Sequence, residues 1–229
     1  MTLAVSELAT RLAEVRERIA RAAERSRRAP ESVTLIAVTK THPASTVVEA
    51  LRSGLVDFGE NRVQEGVAKA AEVSSLAGTH PTPPTWHLIG HLQTNKVRAA
   101  LGTFAILHSV DSERLMRAVS AAATSPVRIF IEVNVAAEPQ KYGIAVGELP
   151  SLVELARSLP NIDLTGLMTV APHEDNSEAT RLVFRALRNL AEANRLESLS
   201  MGMTNDYEVA IEEGATHVRI GRALFGDRA

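Results

Sequence analysis

The sequence predicts an α/β protein, a single closed (β/α)8 TIM barrel with an additional N-terminal helix. Three observations carry that expectation. Eight short β-rich runs alternate with helical stretches, which implies parallel strands joined by right-handed crossovers. Eight such units in 229 residues suit a closed barrel better than the runner-up, an open doubly wound sheet. No sequence-similar repeat and no linker divides the chain, so residues 1–229 are read as one domain.

Residues 3–28 open the chain as an amphipathic helix: Leu8, Leu12, Val15 and Ile19 recur at spacings of 4, 3 and 4 while Arg and Glu fill the other faces. Arg25, Arg27 and Arg28 then read as a solvated helix end, where cations are favourable, rather than as an anion patch. Beyond Pro30 strands are expected at Val33–Thr39, Leu55–Phe58, Trp86–Ile89, Ala105–His108, Val127–Val135, Ile162–Met168, Leu199–Met201 and His217–Ile220. Helical stretches fall between them near 44–53, 61–73, 92–101, 111–123, 147–158, 177–195 and 205–213, and the N-terminal helix supplies an eighth. Gly54 and Gly214 stand where a helix must stop before the next strand. Thr79–Thr85 (THPTPPT) is a proline-rich loop inside one unit.

Composition excludes several classes. With 45% apolar and 23% charged residues the chain reads as an ordinary globular protein. It has no cysteine, which removes thiolate catalysis, Cys-ligated zinc and iron–sulfur clusters and suits a reducing cytoplasm. Lys+Arg 25 against Asp+Glu 27 gives a net charge of −2, and aromatics are only 3%, so nucleic acid is not an expected partner. The N-terminus lacks the basic and apolar regions of a signal peptide, and no apolar run approaches the ~20 residues of a membrane span. A cytoplasmic protein with no membrane partner is expected.

On a barrel the chemistry sits at the C-terminal ends of strands. The first strand ends as LIAVTKTHP, which places Lys40 at the rim. A rim lysine is ordinarily solvated, yet one held close to a barrel mouth can lose its proton and condense with a carbonyl compound. Strand seven ends as LSMGMTNDYEVAI, where Gly202 allows a turn and Thr204 or Asn205 can cap the next helix; strand eight ends as HVRIGRALFG, where Gly221 opens another turn. Loops after strands seven and eight are the usual phosphate cradle of such barrels. Together with Lys40 they suggest an aldehyde that carries a phosphate. Arg219 alternates with Val218 and Ile220 and so points inward, either paired with an acid such as Glu132 or bonded to a ligand heteroatom. Glu132 and Asn134 read as polar lining of one face. His87 and His91 have helical spacing but straddle a strand and a loop, so His87 reads as a core or rim histidine. Neither a serine-hydrolase elbow nor a P-loop is present.

LIAVTKTHP, GENRVQEG, WHLIGHLQTNK, HSVDS, EVNVAAEPQKYGI, GLMTV, SMGMTNDYEVAI and VRIGRALFG, in that order from residue 35 to 226, resemble the pyridoxal phosphate homeostasis protein family. The resemblance implies a fold type III barrel like the N-terminal domain of alanine racemase, with pyridoxal 5′-phosphate as cofactor. It implies that Lys40 holds the cofactor as a Schiff base, that Ser200, Gly202, Thr204, Gly221 and Arg222 surround the phosphate, that Arg219 faces the pyridine nitrogen, and that Asn61 lies near the ring. His87 is a further candidate for the lining, and Lys141 a second amine near the mouth. The sequence departs from the family at Arg62, where tyrosine is usual, at Thr204 for serine, and at Ala136–Ala137 for a more polar pair.

The expected role is a vitamin B6 reservoir or carrier rather than a catalyst. A racemase of this fold draws a tyrosine base from a second domain and a dimer partner. Here the chain runs only eight residues past Gly221, and its two tyrosines are Tyr142 and Tyr207. A weak amino-acid racemase is the alternative, and a class I aldolase a distant third. A monomer is expected, with apo-enzymes as transient recipients.

Overall fold

Parallel strands joined by helices must be covered on both faces, and the eight β-rich runs achieve this by closing on themselves. The computed structural model describes residues 5–78, 80–172 and 177–226. In it β1 (Thr34–Val38), β2 (Asp57–Glu60), β3 (Thr85–Leu88), β4 (Ile106–Val110), β5 (Val127–Glu132), β6 (Ile162–Met168), β7 (Ser198–Met203) and β8 (His217–Ile220) form a closed barrel in sequence order. The seam is parallel, with Leu35 opposite Val218 and Ala37 opposite Ile220. The connecting helices are α2 (Ala44–Arg52), α3 (Val63–Ala77), α4 (Val97–Leu101), α5 (Glu113–Ala122), α6 (Leu149–Ser158), α7 (Arg181–Ala193) and α8 (Tyr207–Glu212), with α1 (Val5–Arg25) before the barrel and α9 (Arg222–Phe225) after it. Residues 3–4 of the expected first helix, and Thr79 of the proline-rich loop, lie outside the described residues.

The main apolar core lies between the strands and the helices. The barrel interior has its own small cluster of Ile106, Phe130 and Met168; the other inward positions are largely polar, and they build the site. Among the described residues no helix is long and apolar enough to cross a membrane.

Two expectations are corrected. The second strand lies two residues later than Leu55–Phe58. Leu55 belongs to the turn: its amide donates to Ala50 O at 3.0 Å, and Gly54 stops α2 at φ +83. The strand then runs through Gly59, where a Cβ would come within 2.9 Å of Ile36 Cγ2 and 3.0 Å of Ile89 Cδ1. α9, which follows the last strand, is only four residues long, and α1 packs across α8 and α9 with Leu8, Leu12, Val15 and Ile19 buried, so α1 supplies the eighth helix of the outer layer. The arginines ending α1 are also not simply solvated. Arg25 Nε bonds Glu212 at 2.6 Å, and Arg28 Nη1 donates to Ile211 O in the last turn of α8 at 3.2 Å and to Ala215 O beyond it at 2.8 Å.

Candidate functional site

Lys40 sits half-buried in the turn after β1, and both of its neighbours are pinned. Thr39 is fully buried; its hydroxyl donates to Glu60 Oε1 at 2.7 Å and its carbonyl accepts from Lys69 Nζ at 2.7 Å. The Thr41 amide donates to Glu65 Oε1 at 2.7 Å, which holds Thr41 at φ +70, an uncommon conformation for a β-branched residue. Lys69 closes the cluster with bonds to Glu60 at 2.6 Å and Glu65 at 3.3 Å. Burial pushes the Glu60 carboxyl up while Lys69 and Thr39 pull it down. The β2–α3 segment thus clamps the backbone on either side of Lys40. Asn61 follows β2 directly, half-buried, with its backbone pressed so closely on Gly90 that a Cβ there would collide with the Asn61 carbonyl. Arg62 is exposed ahead of α3.

The loops after β7 and β8 arrive beside this turn. Gly202, at φ +91, lets the end of β7 lie on α8; a Cβ would meet Ala210 Cβ at 2.5 Å and Tyr207 Cα at 2.9 Å. The following turn carries Thr204 half-buried, but Asp206, not Thr204 or Asn205, occupies the cap position of α8, and its carboxylate accepts the Met203 amide at 2.7 Å. Gly221 packs on β1, where a Cβ would come within 3.2 Å of the Val38 carbonyl two residues before Lys40. Arg222 is exposed and donates to Asn205 Oδ1 at 3.2 Å, tying the two loops together.

Inside the barrel Arg219 donates to Ser200 Oγ at 2.7 Å and to the Thr169 carbonyl at 3.0 Å. Burial lowers its pKa to about 10, which leaves it cationic at neutral pH. Of the two partners expected for Arg219, Glu132 is not a hydrogen-bonded one. That carboxyl is pushed up to about 7 by desolvation and by Asp111, with Arg219 opposing through space. Its folded pKa is raised, so stability is full below the ordinary 4.5 and falls as pH climbs to about 7. Glu132→Gln is therefore expected to gain roughly 2–3 kcal/mol in mildly alkaline buffer and nothing in acid. Denaturant titrations at the two pH values check this, and equal shifts at both would refute it.

Ser200 and Asn134 are placed differently from the sequence expectation, and His87 takes the core alternative of its reading. Ser200 is fully buried below the mouth, and its hydroxyl lies between Arg219 and His108 Nδ1 (2.8 Å). His87 does not line the mouth: at 1% exposure it sits in the interior, with Nδ1 3.0 Å from His108 Nε2 and Nε2 3.0 Å from Asp57 Oδ1. Asn134 lies beyond β5, and its amide closes the loop on the Glu138 backbone at 2.8 and 3.1 Å. Across the mouth His91 Nδ1 is 3.0 Å from Asp111 Oδ2 and stacks on Tyr142 with centroids 4.2 Å apart. Lys141 is ion-paired with Glu138 and reaches the Val170 carbonyl at 3.3 Å. Tyr207 is buried under α1, with the Arg18 guanidinium 5.2 Å from its ring centre.

Sequence reasoning missed Glu60, Lys69, Asp57 and His108. Strand alternation, which placed Arg219 inward, would have flagged Asp57 and His108 as inward polar residues; Glu60 and Lys69 gave no comparable signal. The assembled mouth offers an amine in a clamped turn, two loops that glycine lets approach it, and a fixed cation in the floor. That set fits a small phosphorylated aldehyde.

Comparison with known proteins agrees with this chemistry. The family described as alanine racemase, N-terminal domain, matches residues 11–229. A pyridoxal phosphate homeostasis protein of Pseudomonas aeruginosa is 43% identical, over 98% of this chain and 97% of its own length. The protein of that name in Escherichia coli K12 is 39% identical over 98% of both chains. PipY of Synechococcus elongatus, solved with PLP bound, is 37% identical and superposes with a TM-score of 0.80 over 96% of this chain and all of its own. Alanine racemase of Corynebacterium glutamicum, at 15% identity and a TM-score of 0.71, shares the fold over 98% of this chain and 61% of its own.

Proposed function

The chain belongs to the pyridoxal phosphate homeostasis protein family, within the alanine racemase N-terminal domain family, and on that premise we propose that it binds pyridoxal 5′-phosphate and holds it in reserve for other proteins. The observation that carries the reading is the contact of Gly221 with the end of β1, which sets the loop after β8 beside Lys40. When bound, the cofactor supplies an aldehyde that a lysine amine condenses with, releasing water.

Lys40 is the amine in this reading, held by its clamped neighbours. Thr204 supplies a hydroxyl, Gly202, Gly221 and Arg222 supply backbone amides, and the Arg222 side chain adds positive charge for the phosphate. Asn61 borders the ring. Arg219 faces the ring nitrogen, with Ser200 seating it from below rather than reaching the phosphate itself. A donor that titrates only at about 10 disfavours protonation of that nitrogen, which weakens the ring as an electron sink. Tyr207 faces α1 and is not placed to act as a base on the ring. Both features support a carrier over a racemase. The carrier works as a monomeric barrel in the cytoplasm and passes its cofactor transiently to apo-enzymes.

The experiment is the visible absorption spectrum of the purified protein before and after borohydride, with the reduced adduct located by peptide mass. A yellow protein with the pyridoxyl mass on Lys40 is expected. A colourless protein that gains no chromophore from added pyridoxal phosphate would overturn the proposal and bring back the aldolase. Solvent deuterium entering the α-carbon of an amino acid, dependent on Lys40, would replace the carrier with the racemase.

A further inference from the structure

A continuous row of buried polar groups runs the length of the barrel interior, and only its Arg219 end belongs to the site described above. From Arg219 it passes to Ser200 Oγ (2.7 Å), to His108 Nδ1 (2.8 Å), from His108 Nε2 to His87 Nδ1 (3.0 Å) and from His87 Nε2 to Asp57 Oδ1 (3.0 Å). Ser200, His108 and His87 are each at most 1% exposed, while the Asp57 side chain is 25% exposed. Asp57 begins β2, so it lies at the mouth opposite Lys40.

The direction of every bond follows from donor chemistry. Arginine only donates, so Ser200 Oγ accepts from it. The hydroxyl hydrogen of Ser200 then has one neighbouring acceptor, His108 Nδ1. His108 therefore carries its proton on Nε2 and donates to His87 Nδ1, and His87 donates from its own Nε2 to Asp57. The reverse order needs His87 doubly protonated and leaves the Ser200 hydrogen buried without an acceptor, which is costly. Burial, then His87, His217 and Arg219, hold the His108 pKa well below its ordinary value, in keeping with a neutral ring. Phe130 stacks on that ring at 4.5 Å and 15°, fixing its plane. His217 stands outside the row, with its Nδ1 on Thr216 Oγ1 at 2.8 Å. The aligned dipoles begin on a cation and end on an anion, so each bond strengthens the next.

We propose that Asp57 is a remote positioning residue for Arg219, acting from the far mouth of the barrel through the one-way chain Arg219–Ser200–His108–His87–Asp57. This rests on the reading that Arg219 faces the cofactor's ring nitrogen. With Asp57 in place His87 cannot turn over, His108 keeps its Nδ1 lone pair toward Ser200, and Ser200 keeps its oxygen toward Arg219. Without it His87 Nε2–H loses its acceptor, the ring is released, and the seat of the guanidinium loosens link by link.

The test has two parts. In cofactor-free protein carrying 15N-labelled histidine, His87 and His108 are both expected as Nε2–H tautomers; an Nδ1–H tautomer at either overturns the chain. With pyridoxal phosphate added, Asp57→Ala is expected to shift the visible band and weaken retention about fivefold, while Asp57→Asn, whose amide oxygen still accepts from His87, behaves as the unsubstituted protein. Asp57→Ala with unchanged spectrum and retention overturns the positioning role. Should the unsubstituted protein take up no pyridoxal phosphate, it is the proposed function that falls, and the tautomers decide the chain by themselves.

Discussion

Lys69→Met is expected to lose about 3–5 kcal/mol of stability at neutral pH, the cost of stranding a charge inside the fold. Lys69 is 7% exposed and Glu60 is fully buried, with Oε2 of Glu60 lacking a hydrogen-bond partner among the described residues. The ammonium is therefore the main compensation for that carboxylate, with only the Thr39 hydroxyl beside it. Removing it leaves Glu60 to ionise in an apolar pocket or to take up a proton. The sign with pH follows. Burial already raises the Glu60 pKa, the substitution raises it further, and the loss shrinks in mildly acidic buffer as Glu60 becomes neutral. Urea unfolding at two pH values measures this, and the double variant Glu60→Gln/Lys69→Met should recover most of the loss. A neutral-pH loss below about 1 kcal/mol, in the range of an exposed pair, would show that the cluster is not the clamp described here. The consequence reaches function because the same ammonium holds the Thr39 carbonyl: the Lys40 turn should loosen before the barrel opens.

How far the sequence could be read depended on whether a signal was local. β6 and β8 were legible to the residue, because apolar residues alternating with polar ones between turn residues define them. β2 was displaced because Leu55 looks like the start of a strand but serves to close the α2 turn, while Gly59 looks like a break but is required inside the barrel by Ile36 and Ile89. In the site, Lys40, Gly202 and Gly221 stood at strand ends, and period-two alternation sent Arg219 inward. Arg219's partners were not legible. Ser200 and Thr169 meet it only because β6, β7 and β8 are neighbours in a closed barrel, and sequence distance gives no measure of that. The same holds for Asp57, His87 and His108, which come from three successive strands whose meeting depends on the register across each pair. Glu60 and Lys69 were hidden for another reason: in GENRVQEGVAK they look like ordinary charges of a solvated helix, and only the packing of α3 on β2 buries them.

Lys40→Ala is expected to abolish the borohydride-trapped pyridoxyl adduct while the protein stays folded. Loss should be complete rather than partial because the other amines near the mouth are committed elsewhere. Lys141 is paired with Glu138 and bonded to the Val170 carbonyl at the rim. Lys69 is buried with three acceptors around its ammonium, and freeing it would cost what Lys69→Met costs. The fold should persist, since the clamp acts on the backbone of Lys40's neighbours and on the Thr39 hydroxyl, which the substitution leaves in place. The loops after β7 and β8 are likewise untouched, so pyridoxal phosphate should still associate, reversibly, and wash out on dialysis. Peptide mass after reduction separates the outcomes. No adduct anywhere, with normal unfolding, supports Lys40 as the carrier amine. An undiminished adduct on Lys141 would mean that its ion pair opens readily and that the rim, not the clamped turn, holds the cofactor.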